Sequence, residues 1–186
     1  MFVKAADFGW TAGNNLKNKF LNETLATFAP TDDDQKGANA AWDNGNFLKQ
    51  LTLIQIVGAD GQLKFISSEV AEFYLALVNA AERDGVLLPL KSGFRTYPKQ
   101  AALYDGFIHH RPGFNLAAKP GFSNHEDGHA SDFAISGYEG NPRYDWLKAH
   151  GPAHGFVRTV NNEPWHWEYR PEIASTGVYK IARVLK

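Results

Sequence analysis

The chain has 186 residues, about the length of one ordinary domain and enough to bury a hydrophobic core without metal or disulfide staples. Nineteen basic and twenty acidic side chains leave a formal charge of −1, which excludes the basic surface typical of nucleic-acid or anionic-membrane binding. Cysteine is absent, so disulfide scaffolds, zinc fingers, iron–sulfur sites and thiol nucleophiles are excluded. Any metal must therefore be held by histidine and carboxylate side chains.

The N-terminal part of the chain carries few strong signals. Residues 1–7 lack the apolar stretch of a secretory signal, so we expect export by another route or a signal already removed. No apolar run approaches the roughly 18 residues that a membrane helix needs. Apolar residues at near-helical spacing predict a helix over 16–28. Segment 43–46 lacks the ligand spacing of a calcium loop and is interpreted as a solvated turn.

A hairpin and a helix are predicted next. Segments 51–57 and 62–66 flank an Asp-Gly pair, which is favoured at the tip of a β-hairpin. A helix then begins at a serine cap, Ser67 or Ser68, and ends at Asp84. Its apolar residues recur at helical spacing and predict one buried stripe, formed by Val70, Phe73, Tyr74, Leu77, Val78 and Ala81.

Short elements follow in the second half of the chain. Two helices are predicted over 98–107 and 142–150, each with proline in its first turn. Short strand candidates alternate with them at 87–91, 131–135, 155–160, 165–169 and 178–184. This interleaving predicts a single α+β domain over 1–186, in which a small antiparallel sheet is flanked by helices.

The densest polar cluster, 123–132, allows two metal-binding interpretations. Residues 125–129 match the H-E-x-x-H pattern, in which two histidines one helical turn apart bind zinc. That geometry requires a helix, because only a helix points both rings the same way. Gly128 in its middle and the polar residues on either side disfavour a helix there. We therefore discount this interpretation.

The second interpretation pairs His125 with Asp132 on a strand and takes a third ligand from elsewhere. His166, in an aromatic-rich strand candidate, is the best candidate for that ligand. Glu163 precedes it by three residues, and Pro164 breaks the strand so that Glu163 turns into the same pocket. Two histidines and one carboxylate leave a fourth position for water, the pattern of a catalytic zinc.

Two further carboxylates have candidate roles beside such a site. Zinc lowers the pKa of bound water to roughly 7, and Glu163 is the candidate that takes its proton. Glu168 shares a strand face with His166 and is a candidate partner for that imidazole. Asp132 alone is compatible with a turn, and His166 alone with a core position. Only the joint pattern of these residues indicates a metal site. The isolated histidines at 109, 110, 150 and 154 are interpreted as surface or capping residues.

These residues together resemble the VanY-type zinc D-alanyl-D-alanine carboxypeptidases, a group that includes VanX-type dipeptidases and phage L-alanyl-D-glutamate endopeptidases. The first motif that carries the resemblance is Ser123-x-His125-x-x-Gly128-x-Ala130-x-Asp132, and the second is Glu163-Pro164-Trp165-His166. Upstream, Ser92-Gly93-Phe94-Arg95-Thr96, with Gln100 following, is similar to the family's Ser-Gly-Tyr-Arg-Ser segment. The resemblance covers the core motifs over 87–171, whereas residues 1–50 are atypical of the family.

The resemblance implies the small α+β fold shared with the Hedgehog signalling domain. It implies one zinc ion with water as fourth ligand, Glu163 as general base, and Arg95 as the residue that stabilises an oxyanion or grips a substrate carboxylate. The implied zinc ligands are His125, Asp132 and His166, and the implied substrate-binding residues are Ser123, Trp165 and Gln100. Phe94 replaces the usual tyrosine, and His129 stands where an apolar residue is usual, which leaves a ligand swap open.

The expected function is hydrolysis of peptidoglycan stem peptides by a zinc metallopeptidase, with release of terminal D-alanine. An endopeptidase of endolysin or secreted-effector type, cutting L-Ala-D-Glu or a cross-link, is the same-chemistry alternative. A non-catalytic wall-binding module on the same fold is the other, although such a module has no need for Glu163. We expect a monomer that acts on peptidoglycan in the cell envelope, the periplasm or outside the cell, without nucleic-acid partners.

Overall fold

The computed structural model describes residues 36–37 and 39–176. The helix predicted over 16–28 and the strand predicted over 178–184 lie outside these residues. Within them, no helix combines the length and hydropathy required to cross a membrane. The elements in chain order are β1 (Ala40–Asp43), β2 (Asn46–Gln50), β3 (Leu53–Val57), β4 (Leu63–Ser67), α1 (Ser68–Arg83), β5 (Leu90–Ser92), α2 (Tyr97–Ile108), β6 (Ala130–Phe133), α3 (Pro142–His150), a 3-10 turn (Gly151–His154), β7 (Phe156–Val157), β8 (His166–Tyr169) and α4 (Pro171–Ala174).

The described strands form three antiparallel sheets. β1 pairs with β2, β3 pairs with β4, and the remaining four lie in the order β5-β6-β8-β7. The predicted α+β class with small antiparallel sheets is therefore confirmed, as is the hairpin of β3 and β4. The predicted turn at 43–46 is also present, but it joins two strands, β1 and β2, that the sequence analysis did not predict.

Helix α1 begins and ends where its caps predict. The Ser67 side chain accepts a hydrogen bond from the Glu69 amide, and the helix ends at Arg83. The predicted buried stripe is wrong at Phe73, which is 41% exposed and stacks on Tyr169 with 4.4 Å between ring centroids. Ala71 and Leu75 are buried as well, because α1 packs against both the β3–β4 hairpin and the 3-10 turn. Two contact surfaces require a broader buried face than a single stripe.

The four-stranded sheet separates the core from a polar face. Phe133 of β6 and Trp167 of β8 are fully buried in the main hydrophobic cluster, which also includes residues of α1 and α3. Because side chains alternate along a strand, Asp132, His166 and Glu168 lie on the opposite face. The register pairs Asp132 with His166 and Ala130 with Glu168. One face of this sheet therefore stabilises the fold while the other carries ionisable groups.

A substitution at Leu77 of α1 tests whether this helix packs into the hydrophobic core, because the Leu77 side chain is fully buried. We expect Leu77→Ala to lower the free energy of unfolding by about 2–5 kcal/mol, since it removes buried methyl groups and leaves a cavity. Urea denaturation measures the loss. Leu87→Ala is the matched control, because Leu87 is 45% exposed and should change stability by less than about 0.5 kcal/mol. Equal losses in the two variants would contradict the assignment of this core.

Candidate metal centre

Three predicted ligands converge on the polar face of the four-stranded sheet. Nδ1 of His166 lies 3.0 Å from Oδ1 of Asp132, across the β6–β8 pair. His125, in the turns that precede β6, brings its Nε2 to 3.3 Å from Oδ2 of Asp132. One ligand atom from each residue lies within 4.8 Å of the others, and all three residues are buried. Two imidazole nitrogens and a carboxylate oxygen thus face one point.

The second nitrogen of each imidazole is held by a hydrogen bond. Nδ1–H of His125 donates to Gly93 O over 2.8 Å, and Nε2–H of His166 donates to Oε1 of Glu168 over 3.1 Å. Each bond fixes one ring nitrogen as a donor and directs the other ring nitrogen at the shared point. The structure therefore shows the contact between Glu168 and His166 that their common strand face predicts.

Gly93 permits this arrangement through a close approach of two chain segments. A Cβ atom at this position would overlap the backbone carbonyl oxygen of Phe65 on β4. The next residue, Phe94, donates its amide to the same oxygen over 2.6 Å. The absence of a side chain thus lets the segment that follows β5 lie against β4, where the Gly93 carbonyl reaches His125.

The charges of the centre are strongly coupled. Burial alone would raise the pKa of Asp132, but the two imidazoles beside it hold the pKa well below its usual range. Burial would likewise lower the pKa of His166, whereas its hydrogen bonds to Asp132 and Glu168 raise it to about 10. His166 and Arg170 hold the pKa of Glu168 at about 2, against the effect of its burial. The carboxylates are ionised and favour a positive charge at this point.

Glu163 lies at the open side of the centre. Its Oε2 is 3.8 Å from Nδ1 of His166, and its side chain is 32% exposed, far more than that of Asp132. The Glu163 carbonyl accepts the His166 amide over 3.2 Å, and the Pro164 carbonyl accepts the Trp167 indole N–H over 3.0 Å. These bonds fix the turn at Pro164, so Glu163 reaches the polar face as the sequence pattern predicts.

Arg95 is anchored next to the ligands. Its amide donates to His125 O over 3.0 Å, and its Nη1 donates to Oε1 of Gln100 over 2.8 Å. Burial lowers the pKa of Arg95, and the charges of Asp132 and Glu163 among others oppose that effect. Gln100 is 1% exposed, and its Nε2 donates to Ala118 O over 2.7 Å. Its amide is therefore bonded within the protein and faces Arg95.

The remaining predicted site residues lie around this centre. Oγ of Ser123 accepts the His125 amide over 3.3 Å, so it braces the segment that carries this ligand. Trp165 is half-buried, directly before His166, and Nζ of Lys91 lies 5.8 Å from the centroid of its ring. Ser123 thus lies two residues before His125, and Trp165 lies directly before His166.

The local conformation also decides between the two metal-binding interpretations. Residues 124–128 form turns, and Gly128 has a φ of 84°, which excludes the helix that H-E-x-x-H requires. His129 lies against Asp127, with 3.3 Å between Nδ1 and Oδ1. Among the described residues, it is outside the group of convergent ligand atoms.

Glu126, the glutamate of the rejected H-E-x-x-H motif, has a structural role that the sequence did not predict. Its side chain is fully buried, and its Oε2 accepts the amides of Gly121 and Ser123 over 2.9 and 3.1 Å. Burial raises the pKa of Glu126 to about 7, which those two bonds only partly oppose. This carboxylate thus shapes the loop before His125. The signal for this loop-shaping role in the sequence is the position of Glu126 between the glycines of two turns.

Sequence comparison connects this geometry to known proteins. Residues 63–172 match the VanY family model, described as D-alanyl-D-alanine carboxypeptidase. A D-alanyl-D-alanine carboxypeptidase of Enterococcus faecalis (strain ATCC 700802 / V583) is 31% identical over 138 residues, which cover 61% of this chain and 52% of the relative. The chain thus spans about half the length of the curated relatives that it matches.

Solved structures show the same fold. VanYB in complex with D-alanine-D-alanine is 25% identical, with a TM-score of 0.58 over 75% of this chain and 90% of that one. A vancomycin-resistance D,D-pentapeptidase VanY variant in complex with Zn(II) is 24% identical, with a TM-score of 0.55 over 75% and 92% of the two chains. Since the family model covers more than half of the sequence, the chain belongs to the VanY family of D-alanyl-D-alanine carboxypeptidases.

Proposed function

We propose that this chain is a zinc peptidase that hydrolyses peptidoglycan stem peptides and releases their terminal D-alanine. The observation that carries the proposal is the convergence of His125, Asp132 and His166, with Glu163 at the open side. Membership of the VanY family and the likeness to VanYB in complex with D-alanine-D-alanine support the same substrate class.

The donor set fits zinc. His125 Nε2, His166 Nδ1 and an Asp132 oxygen form the two-nitrogen, one-carboxylate pattern of catalytic zinc sites, and the chain has no thiolate to close a structural one. Hydrogen bonds to Gly93 O and Glu168 already orient both rings, as zinc-ligating histidines require. When bound, zinc supplies a Lewis acid that polarises the scissile carbonyl and promotes ionisation of water near neutral pH.

Glu163 moves the proton in this reaction. Its carboxylate takes a proton from the attacking water while the water oxygen bonds to the carbonyl carbon. The same carboxyl then gives the proton to the leaving nitrogen, so the C–N bond breaks and D-alanine departs as an amine. The partly exposed position of Glu163 suits this role, because the group must reach both substrate and the buried ligands.

Arg95 supplies fixed positive charge beside the reacting bond. Gln100 holds one arm of its guanidinium, so the planar donor fork is pre-oriented for a carboxylate or an oxyanion. We therefore assign Gln100 to substrate binding through Arg95, and we assign Ser123 and Trp165 to substrate binding beside the ligands. Because one chain contains every proposed ligand, we propose that the protein acts as a monomer. Since its proposed substrate is peptidoglycan, we propose that it acts in the cell envelope or outside the cell.

Exchange of the proposed base is the first test. We expect Glu163→Gln to lower the rate of stem-peptide hydrolysis at least about 10²-fold, because the amide cannot take the proton from water. Its zinc content, measured by mass spectrometry of dialysed protein, should stay at the wild-type level. His125→Ala should lose both zinc and activity, whereas Glu172→Gln, at an exposed position, should lose neither. Full activity of Glu163→Gln would contradict the assignment.

The products identify the bond that is cut. A stem pentapeptide ending in D-alanyl-D-alanine should lose one alanine, and a metal chelator should prevent the loss. Mass spectrometry of purified muropeptides after incubation distinguishes this product from the fragments of L-Ala-D-Glu or cross-link cleavage. Such fragments would establish the endopeptidase instead, and intact muropeptides with zinc-loaded protein would favour the binding module.

The role of Arg95 can be separated by a change in the substrate. If its fork grips the terminal carboxylate, Arg95→Lys should lower kcat/KM about 10-fold or more, because lysine provides only a point charge. A C-terminally amidated peptide lacks that carboxylate, so the same substitution should then cost little. An equal loss with both peptides would assign Arg95 to the oxyanion instead. An unchanged kcat/KM for the acid would exclude both roles.

A further inference from the structure

A buried carboxylate joins the two chain segments that carry the histidine ligands. Glu168 is 2% exposed and accepts hydrogen bonds from four side chains. His166 donates from its own strand, and Asn124 donates from the position directly before His125. Thr159 and Arg170 are the other donors. The position of this single carboxylate therefore affects both ligand-bearing segments.

Arg170 bridges Glu168 to a second buried carboxylate. Its Nε and Nη2 lie 2.9 and 2.7 Å from Oε2 of Glu168, and its Nη2 also donates to Oδ2 of Asp127. Oδ1 of Asp127 accepts the His129 amide over 2.9 Å, which fixes the turn between His125 and β6. One guanidinium thus connects the end of β8 with the segment that carries His125.

The physical chemistry favours arginine at this position. Two carboxylates removed from water require a partner cation, and among the described residues Arg170 is the only lysine or arginine that pairs with either of them. The planar fork contacts both partners at once, whereas a lysine ammonium is a point charge on a flexible stem. Arg170 forms ion pairs with Asp127 and Glu168, but not with Asp132 or Glu163. Any effect of Arg170 on the metal must therefore pass through Asp127 or Glu168.

We infer that Arg170 is a positioning residue for the proposed metal centre. By clamping Glu168, it keeps that carboxylate on Nε2–H of His166 and so leaves Nδ1 directed at the metal. By clamping Asp127, it ties the segment that carries His125 to the end of β8. The inference rests on the proposed zinc site but concerns metal affinity, which is measurable without substrate.

The zinc dissociation constant of Arg170→Lys tests the inference. The variant keeps the charge but not the fork, and we expect binding about 10-fold weaker in competition with a chromophoric chelator, as for other partners of metal ligands. Arg143→Lys is the matched control, because Arg143 also joins two segments, through the carbonyls of Leu87 and Ala134. It should lower stability in urea without changing zinc affinity. Unchanged affinity in Arg170→Lys, or an equal loss in the control, would overturn the inference.

A double-substitution cycle shows whether Arg170 acts through Glu168. If it does, Arg170→Lys should weaken zinc binding less in the Glu168→Gln background than in the wild-type protein, because only the contact with Asp127 then remains to be lost. Independent, multiplicative losses would overturn that route. Should the lysine variant fail to fold, Asp127→Asn removes the other anchor of the same fork and is expected to weaken zinc binding. Unchanged affinity there would also overturn the inference.

Failure of this inference is distinguishable from failure of the proposed function. Wild-type protein that binds zinc but leaves stem peptides intact would refute the proposed activity, while the affinity comparison would still decide the role of Arg170. Active wild-type protein with unchanged affinity in Arg170→Lys would refute the inference alone. Wild-type protein without zinc affinity would refute both.

Discussion

The antiparallel pairing of β6 with β8 is the constraint on which the rest of the site depends. Its register sets Asp132 opposite His166, and the same alternation buries Phe133 and Trp167 in the core. A slip of one residue would move the ligands into the core and the aromatic residues onto the polar face of the sheet. The hydrophobic core therefore specifies the metal geometry, because the residues that stabilise the sheet also select its register.

The parts that complete the site come from outside this pair and are held by backbone contacts. Gly93 reaches His125 only because its segment lies against Phe65 on the β3–β4 hairpin. The β1–β2 hairpin, which precedes the region matched by the family model, contacts the loop that carries His125. There, Trp42 donates its amide to Glu126 O over 2.9 Å, and Gly45 donates to Gly121 O over 2.8 Å. Both hairpins thus support the loop before Asp132.

The residues that sequence analysis predicted well act through local rules. The cap of α1 and the alternation of Asp132 with Phe133 can be predicted from neighbouring residues alone. The ligands that are distant in sequence were grouped through the family motifs. The features that the sequence did not predict depend on contacts between residues that are far apart in the chain. The mostly exposed residues of β2 (Asn46–Gln50) show no apolar alternation, so nothing local marks them as a strand. The helical spacing of Phe73 predicts a core position, but its ring lies at the surface and stacks on Tyr169, which is almost a hundred residues later in the chain.

The overall charge of −1 conceals a strong local imbalance. Asp127, Asp132 and Glu168 are buried and ionised, and the nearby guanidinium groups of Arg95 and Arg170 offset only part of that charge. The raised pKa of His166 has the same origin, because the carboxylates attract a proton to the imidazole. A divalent cation at the convergent nitrogen and oxygen atoms would replace that proton and neutralise more charge. Burying these carboxylates costs desolvation energy when no metal is bound. The same buried negative charge therefore favours binding of a metal cation.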